Sequence, residues 1–441
     1  MLDKFYKQFK SGTDIRGVAS EGVEGQPVNL TDDVVARMAD GFVLWLSKKV
    51  SKAPETLTIS IGRDSRISGP HIVSICSERF KRCGATVLDC SLASTPSMFM
   101  TTVDLGCDGA LQITASHHPF NRNGLKFFTR EGGLEGSDIE EILEYAQNGE
   151  SPAENSCGKI RKVDYMTDYA KGLCKKIKEE VNAEDYDHPL KGFKIVVDAG
   201  NGAGGFYADK VLSVLGADTT GSRYLEPDGM FPNHIPNPED ATAMASICEA
   251  VKEANADLGV IFDTDVDRGG AVDNKGNEIN RNRLVAVAAA IALEGNEGGT
   301  VVTDSITSSG LKEFIENTLG GQHYRYRRGY KNVIDKALEL NAQGINCPLA
   351  IETSGHAAMK ENYFLDDGAY LCTKIIIKAA QLRKEGKELD ELTAELKEPV
   401  ESKEVRFKIL EPDFKACGEK IIGDLTAYAM AHDGWNVAND N

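Results

Sequence analysis

Residues 57–82, LTISIGRDSRISGPHIVSICSERFKR, contain in one stretch the pattern that decides the fold. The segment opens with an apolar run rich in β-branched residues, 57–61, which predicts a buried strand. A polar, Gly-containing loop follows over 62–69, and a helical pattern covers about 70–82. Strand, loop and helix in this order form the repeating unit of α/β proteins.

The same unit recurs along most of the chain and restarts near Lys194 and after Gly276. We therefore predict an α/β fold of three similar α/β/α domains with mixed, mostly parallel sheets, followed by a partial α+β fourth domain. The predicted boundaries are 1–158, 159–275, 276–397 and 398–441. Further strands are predicted at 86–88, 110–113, 125–128, 194–198, 258–262, 301–303, 323–326, 349–351 and 404–409. Further helices are predicted at 137–147, 165–181, 205–215, 241–254, 283–293, 308–317, 332–340, 368–384 and 414–430.

Composition and charge exclude several classes of function. The chain has 441 residues, 50 of them basic and 68 acidic, for a net charge of −18, which disfavours binding to nucleic acid or to an anionic membrane. The start, MLDKFYKQFK, has no signal core, and the longest apolar run, 284–293, cannot span a membrane. Ten scattered Cys without a Cys-x-x-Cys pair predict reduced thiols in a cytoplasmic protein. A small anionic substrate is compatible with this net charge, because a few converging Arg and Lys can make the local electrostatic potential positive.

The loop TASHHPFNRNGLK, 114–126, follows a predicted strand and contains a candidate nucleophile. Ser116 has small neighbours, with His117, His118 and Lys126 nearby, and Gly124 permits an unusual turn. A nucleophilic Ser needs a base or a metal to activate it, and the alternative is a turn Ser that caps an amide. The Gly-x-Ser-x-Gly elbow of hydrolases is absent, which disfavours a hydrolase triad.

The loop DTDVDR, 263–268, follows the apolar run LGVIF and is a candidate cation site. Asp263, Asp265 and Asp267 stand at alternate positions, so an extended backbone would direct them to one side. Three adjacent carboxylates repel one another unless a cation neutralises them, and hard oxygen ligands suit Mg²⁺ or Ca²⁺. An EF-hand is excluded, because its Gly and acidic positions are Arg268 and Asn274. The alternative is a solvated acidic turn.

Three further polar loops are informative only in combination. ETSGH, 352–356, could hold sugar hydroxyls through directional hydrogen bonds, or form an ordinary polar turn. RRGYK, 327–331, could bind a phosphate or be a hydrated basic patch. In SGTDIRG, 11–17, Arg16 could reach an anion, although a surface turn is the default interpretation.

A competing motif is GNGAGG, which runs from Gly200 to Gly205. It fits Gly-x-Gly-x-x-Gly, follows a predicted strand and opens a predicted helix, as a dinucleotide fingerprint does. Asp218 lies near the distance expected for the ribose-binding acid, but no apolar strand precedes it. The alternative function is therefore a dinucleotide-dependent oxidoreductase.

Taken together, the polar loops resemble the phosphohexomutase superfamily, which includes phosphomannomutases and phosphoglucomutases. TASHHP resembles its phosphoserine loop, DTDVDR its metal loop and ETSGH its sugar loop. SGTDIRG and GRDSR resemble its two signatures in domain one, and the order agrees over about residues 10–370.

The resemblance implies domains around a central cleft and a Mg²⁺-dependent intramolecular phosphotransferase. Its substrates would be the 1- and 6-phosphates of mannose or glucose, with a phosphoserine and a hexose 1,6-bisphosphate as intermediates. The implied catalytic residues are Ser116, Arg16 and Lys126, and the implied metal ligands are Ser116, Asp263, Asp265 and Asp267. The implied substrate-binding residues are Arg268, Gly329, Tyr330, Lys331, Glu352, Ser354 and His356.

The sequence departs from the family pattern at several positions. His118 replaces an Asn, and Arg328-Gly329-Tyr330 stands where the family has a Thr-Gly-His or Val-Gly-x element. A His base from that loop is therefore absent, and Tyr330 or Lys331 would have to serve instead. The family's phosphate clamp of the fourth domain, Arg-x-Ser-x-Thr-Glu-Pro, is not in the sequence. We therefore expect a truncated or atypical fourth domain and weak, salt-sensitive binding, with Arg327, Arg328 and Lys331 as the remaining phosphate ligands. A non-catalytic sugar-phosphate-binding homologue is the third alternative; the preferred hexose and the oligomeric state stay open.

Overall fold

The computed structural model describes residues 1–401, 403, 405, 407–411 and 413–435, and it contains three β-sheets. In each sheet a parallel part adjoins an antiparallel part, and helices pack on both faces. The predicted α/β class with mixed sheets is therefore confirmed. No helix within the described residues is both long enough and apolar enough to cross a membrane.

The first sheet has the strand order β1-β2-β6-β5-β3-β4-β8, with β7 beside β6. Its strands are β1 (Lys10–Ser11), β2 (Asp14–Val18), β3 (Thr58–Arg63), β4 (Thr86–Leu92), β5 (Gly109–Ile113), β6 (Arg122–Thr129), β7 (Gly132–Gly133) and β8 (Lys159–Lys162). The associated helices are α1 (Lys4–Lys7), α2 (Asp32–Val50), α3 (Gly69–Arg82), α4 (Thr95–Asp104) and α5 (Gly136–Asn148). Strands β5, β3, β4 and β8 are parallel, whereas β1, β2, β6 and β5 pair antiparallel.

The second sheet has the order β12-β11-β10-β9. Its elements are α6 (Tyr165–Val181), β9 (Ile195–Asp198), α7 (Ala241–Ala254), β10 (Leu258–Phe262), β11 (Gly269–Asp273) and β12 (Glu278–Ile279). The helix predicted at 205–215 is a π-helical segment, Tyr207–Leu212, continued by a 3₁₀ turn, Ser213–Leu215. Its buried side chains still follow the predicted apolar pattern.

The third sheet has the order β14-β13-β15-β16-β17. Its elements are α8 (Arg281–Leu293), β13 (Thr300–Thr303), α9 (Ser309–Glu313), β14 (Gln322–Arg325), α10 (Tyr330–Ala342), β15 (Leu349–Ile351), β16 (Ala357–Met359), β17 (Leu365–Asp366) and α11 (Gly368–Lys384). Helix α9 is shorter than predicted because a π-helical segment, Phe314–Thr318, continues it. One buried apolar cluster includes residues of all three sheets, so their cores are continuous.

Beyond the third sheet, the charged stretch contains a 3₁₀ turn, Leu389–Thr393, and helix α12 (Phe414–Met430) has the predicted bounds. Of the predicted strand 404–409, Glu404 and Arg406 lie outside the described residues, and its described residues are irregular rather than extended into a sheet. All ten cysteines are free.

The polar loops follow the carboxyl ends of strands, where open α/β sheets bind ligands. Ser116 follows β5, Asp263 follows β10, and Glu352 follows β15. The three sheets therefore contribute one loop each to the site described below.

Candidate active site

Side chains far apart in the sequence meet at one place. The Ser116 hydroxyl donates to Asp263 Oδ2 at 3.4 Å and accepts from Arg268 Nη2 at 3.2 Å. Lys126 Nζ lies 2.8 Å from Asp267 Oδ2. Because the first sheet supplies Ser116 and Lys126 and the second supplies the carboxylates, the predicted nucleophile and cation site form one cluster.

Ser116 has a left-handed backbone, φ 50°, which strains any residue other than Gly. Its amide donates to Thr114 Oγ1 at 2.9 Å, which fixes the turn. Gly124 does not provide that turn, contrary to expectation, since it lies in β6 with a negative φ. A Cβ on Gly124 would lie 2.2 Å from the Ile15 carbonyl oxygen, so the glycine is required by close packing of β2 against β6.

The three carboxylates converge because the chain turns tightly, not because it is extended as predicted. Val266 has φ 68°, a strained conformation for a β-branched residue, and its carbonyl accepts from Gly368 N at 3.0 Å. Oxygens of Asp263, Asp265 and Asp267 lie within 4.8 Å of one another. The buried oxygens Asp265 Oδ1 and Asp267 Oδ1 accept no hydrogen bond from any described residue.

This donor set fits a hard divalent cation. All three carboxylates are buried, and buried carboxylates without enough hydrogen bonds are stable only near positive charge. The cations that pair directly with these carboxylates are Lys126 and Arg268, so the direct pairs leave one of the three negative charges unpaired. Mg²⁺ prefers oxygen ligands of this kind. Thr95 Oγ1 orients Asp265 by donating to its Oδ2 at 2.5 Å.

Burial and mutual repulsion raise the pKa values of the carboxylates, whereas the neighbouring cations lower them. Burial and the charges of Asp267 and Asp265 raise the pKa of Asp263 well above its usual range. Burial and Asp267 raise the pKa of Asp265 to about 6. Although burial alone would raise it, Lys126 lowers the pKa of Asp267. Burial alone would lower the pKa of Lys126, but Asp267 and other acidic neighbours raise it, so its amine is protonated.

Arg16 is not in a surface turn, which corrects the default interpretation of SGTDIRG. It lies in β2 opposite Gly124, and its side chain is 17% exposed. Its Nη2 donates to Asp14 Oδ2 at 2.8 Å. Burial acts to lower the pKa of Arg16, but Asp14 and Asp265 raise it, so Arg16 remains a cation beside the cluster.

The third-sheet loop presents a second set of polar groups. Glu352 is buried and accepts from Gly329 N at 2.5 Å and from Ser354 Oγ at 3.3 Å. Burial raises the pKa of Glu352. His356 Nδ1 bonds to Asp366, and the His356 ring stacks on Tyr330 at a centroid distance of 5.2 Å.

Tyr330, the first residue of helix α10, links the third sheet to the first. Its hydroxyl lies 2.9 Å from Thr13 Oγ1, and its ring lies 4.8 Å from Lys126 Nζ. Because burial raises the pKa of Tyr330 above its ordinary value, the phenol is neutral, and a base role has no support from its acidity.

The basic residues of RRGYK are partly neutralised. Lys331 Nζ lies 2.5 Å from both Glu135 and Asp335, and Arg328 Nη2 lies 3.7 Å from Glu239. Arg327 lies on the ring of Tyr326, at 5.2 Å. A phosphate would therefore have to compete with carboxylates for Lys331 and Arg328.

The glycines of GNGAGG allow close packing against neighbouring backbone rather than the approach of a ligand. This removes the physical basis of the dinucleotide alternative. A Cβ on Gly202 would lie 2.6 Å from the Thr264 carbonyl, and one on Gly205 would lie 2.2 Å from the Leu225 carbonyl. The Ala203 amide donates to the Thr264 carbonyl at 2.8 Å rather than facing an open cradle. The loop therefore supports the carboxylate turn. Asp218 pairs with Lys194 on the surface.

Sequence reasoning missed several residues of this cluster. Thr95 and Asp366 orient Asp265 and His356, yet neither stands in a distinctive motif. His117 was noted only as a neighbour of Ser116; its Nδ1 lies 3.2 Å from Ser116 Oγ and accepts from Arg268 Nη2 at 2.7 Å. Burial and Arg268 lower the pKa of His117 to about 3, so the ring is neutral. Their roles depend on tertiary contacts that no local pattern signals.

Comparison with known protein families matches all three sheets. The domains described as "Phosphoglucomutase/phosphomannomutase, alpha/beta/alpha domain" I, II and III match residues 7–153, 169–276 and 280–400.

Individual relatives carry related names. A phosphomannomutase/phosphoglucomutase of Pseudomonas syringae pv. tomato is 31% identical over 336 residues, which cover 75% of this chain and 68% of that protein. A phosphoglucomutase of Neisseria meningitidis is 28% identical over 365 residues, which cover 82% and 73%. The crystal structure of a phosphoglucomutase/phosphomannomutase family protein of Burkholderia thailandensis superposes with a TM-score of 0.73 at 25% identity, covering 91% of this chain and 81% of that one.

Proposed function

The chain belongs to the phosphoglucomutase/phosphomannomutase family, and from this premise we propose that it is a hexose-phosphate mutase in which Ser116 carries the phosphoryl group. The proposed reaction interconverts hexose 1-phosphate and hexose 6-phosphate through a hexose 1,6-bisphosphate, with Mg²⁺ as cofactor. The observation that carries the proposal is the position of the Ser116 hydroxyl, 3.4 Å from Asp263 and 3.2 Å from Arg268.

The residues of the cluster fit the needs of phosphoryl transfer, which depends on positioning and charge compensation. In the first step the bond from phosphorus to Ser116 Oγ breaks and a bond from phosphorus to the sugar oxygen forms. Lys126 gives its proton to Ser116 Oγ and takes up the proton that the sugar hydroxyl loses. Arg268 donates to Ser116 Oγ and so stabilises charge on the departing serine oxygen. A Mg²⁺ held by Asp263, Asp265 and Asp267 would supply further positive charge to the phosphoryl oxygens.

Lys126 is better suited than Arg16 to handle the proton. Acidic neighbours hold both side chains as cations. Of the two, an ammonium passes its proton to a developing alkoxide more readily than a guanidinium does. Arg16 is therefore assigned to orienting the substrate, and Lys126 to donating a proton to an oxygen of the sugar or of Ser116.

The loop after β15 is assigned to sugar hydroxyls. Glu352 is a buried carboxylate that repels a phosphate dianion and accepts hydrogen bonds from hydroxyls. Ser354 and His356 follow it on the same loop. In this proposal the three domains, with boundaries near 158, 275 and 397, supply the carrier, the metal ligands and the sugar contacts, respectively.

The decisive experiment is a mutase assay with mannose 1-phosphate, glucose 1-phosphate and glucosamine 1-phosphate, each with and without Mg²⁺. Ser116→Ala should lose nearly all turnover. Mass spectrometry should find a phosphate on the Ser116 peptide of the wild type and none on the same peptide of the variant. Ser77→Ala, which removes a buried hydroxyl on α3, is the matched control and should retain activity.

Three results would contradict the proposal. Wild-type turnover by Ser116→Ala would exclude the carrier role. Binding of sugar phosphates without turnover would favour a non-catalytic homologue. A spectral change on adding NADH, with no mutase activity, would restore the dinucleotide alternative.

A further inference from the structure

Arg66 is a fully buried cation that the proposed reaction does not use. It stands in the GRDSR loop between β3 and α3, and its side chain has no exposed surface. A guanidinium offers five N–H donors in a fixed plane, and leaving any of them unpaired in the interior is costly.

All five donors of Arg66 are used, and four of them hold one loop. Nη1 donates to the carbonyls of Pro119 at 2.7 Å and Arg122 at 2.9 Å. Nη2 donates to the carbonyls of Ser116 and of His118, the latter at 2.7 Å. The guanidinium is thus surrounded by backbone carbonyls of the loop that contains Ser116.

The fifth donor reaches the other side of Ser116 through two side chains. Arg66 Nε donates to Asp64 Oδ2 at 3.1 Å, and the same oxygen accepts from Thr114 Oγ1 at 2.8 Å. Thr114 Oγ1 in turn accepts from the Ser116 amide at 2.9 Å. Both backbone polar groups of Ser116 are therefore tied to the Arg66–Asp64 pair, which explains how its left-handed φ of 50° is maintained.

A loop between β9 and α7, which contains Gly229 and Phe231, covers the Arg66 guanidinium. The Phe231 ring lies 5.2 Å from Arg66 Cζ, in cation–π contact. A Cβ on Gly229 would lie 2.5 Å from Ser65 O and Ile67 N, so the loop before Phe231 is pressed against the GRDSR turn. The Asp228 amide donates to the Asn201 carbonyl at 2.9 Å, which anchors this loop to GNGAGG.

We propose that Arg66 is a positioning residue that holds the backbone of Ser116 in its reactive conformation. The inference rests on the proposed function of Ser116. Lys at this position offers fewer donors and no planar fork, so it cannot hold four carbonyls. Displacement of a reacting group by about 1 Å costs on the order of 10²-fold in rate.

The test compares Arg66→Lys with Arg79→Lys. Arg79 forms a partly buried pair with Asp40 in the same domain, and its hydrogen bonds go to that carboxylate rather than to the Ser116 loop. At a temperature where both variants are folded, Arg66→Lys should lower kcat by about 10²-fold with KM changed less than threefold. Arg79→Lys should leave kcat within about twofold of wild type, since it alters stability alone.

A second pair of variants covers the case in which Arg66→Lys does not fold. Thr114→Val removes the hydroxyl that holds the Ser116 amide, and Thr114→Ser keeps it. The Val variant should lose at least tenfold in the rate at which glucose 1,6-bisphosphate phosphorylates Ser116, and the Ser variant should not. Equal rates for the two Thr114 variants, or equal losses for Arg66→Lys and Arg79→Lys, would overturn the proposal.

Hydrogen exchange separates this proposal from the proposed function. Amides of the peptide 114–124 should exchange at least tenfold faster in Arg66→Lys, or in Thr114→Val, than in Arg79→Lys, even if the wild type shows no mutase activity. Unchanged exchange in a folded Arg66→Lys or Thr114→Val variant overturns the positioning role while leaving the mutase assay of Ser116→Ala to decide the function.

Discussion

Replacing Lys126 by Met tests whether the buried charge cluster is a cation site. Met keeps an unbranched apolar chain against the Tyr330 ring but removes the ammonium 2.8 Å from Asp267. The two side chains are only 6% and 2% exposed, so the remaining carboxylate cannot be hydrated. Breaking such a buried pair costs about 3–5 kcal/mol, because a buried charge is left uncompensated.

The expected loss of stability in Lys126→Met depends on whether Mg²⁺ is bound. In EDTA, Lys126→Met should lower the free energy of unfolding by about 3–5 kcal/mol relative to wild type. With Mg²⁺ present the deficit should shrink, because the variant site has one more uncompensated negative charge and binds the cation more tightly. Tenfold tighter binding is worth about 1.4 kcal/mol at saturating metal.

The assay is urea unfolding followed by circular dichroism, with and without Mg²⁺. Lys48→Met is the matched control, since Lys48 pairs with Glu141 on the surface and its side chain is 69% exposed. The control should show no measurable change in either condition. A deficit for Lys126→Met below about 1 kcal/mol in EDTA, or one that Mg²⁺ does not reduce, would refute the reasoning.

Three other variants test separate parts of the proposal. Asp265→Asn should raise the Mg²⁺ concentration needed for half-maximal activity at least tenfold, and activity that survives chelation in the wild type would contradict this. Glu352→Ala should cost about 1–3 kcal/mol of transition-state stabilisation in kcat/KM, and unchanged kinetics with glucose and mannose phosphates would indicate a plain turn. His234 lies between Asp198 and the Ile235 carbonyl, and these acceptors hold its pKa above the usual value although burial opposes them. Its stabilising contribution should be complete below about pH 6.5 and decrease as pH rises through the raised pKa, and His234→Gln should flatten that pH dependence in thermal unfolding.

Much of the fold could be predicted where local signals agree. Helices α6, α7, α11 and α12 have the bounds predicted from sequence. Each is preceded by an Asp whose side chain accepts a backbone amide of the first turn, which gives a sharp start: Asp164, Asp240, Asp367 and Asp413. Apolar residues at helical spacing then mark the buried face along each helix.

The missed elements are those that tertiary packing creates. Helix α2 was not predicted; its Gly41 weakens the local helix signal, but a Cβ there would lie 2.5 Å from the Ile142 carbonyl of α5. Strand β2 was interpreted as a turn because Gly and Asp surround it, yet it pairs with β6 along four residues. Strand β11, GGAVD, has a composition unlike that of an isolated strand and is stabilised by its neighbour β10.

The candidate site also combines features that local sequence predicts with features that only tertiary contacts create. The polar loops after β5, β10 and β15 could be identified individually, because strand ends and unusual composition mark them. Their charge pairing could not, because Lys126 and Asp267 are 141 positions apart. The contacts of Arg66 could not be predicted from the sequence either, because most of its acceptors are backbone carbonyls, which have no sequence signature.

The electrostatics of the cluster link the proposed phosphoryl transfer to the contact between the first two sheets. The carboxylates after β10 have no basic partner in their own loop except Arg268, and the second cation, Lys126, comes from the first sheet. Ser116 in turn receives its donor, Arg268, from the second sheet. Since a buried charge without its partner is costly, the first two sheets hold each other through the same groups that would transfer the phosphoryl group. Substitutions at Asp267 should therefore lower the stability of this contact and the rate together, whereas substitutions at Glu352, whose partners lie within the third sheet's loops, should affect substrate recognition with little change in that contact.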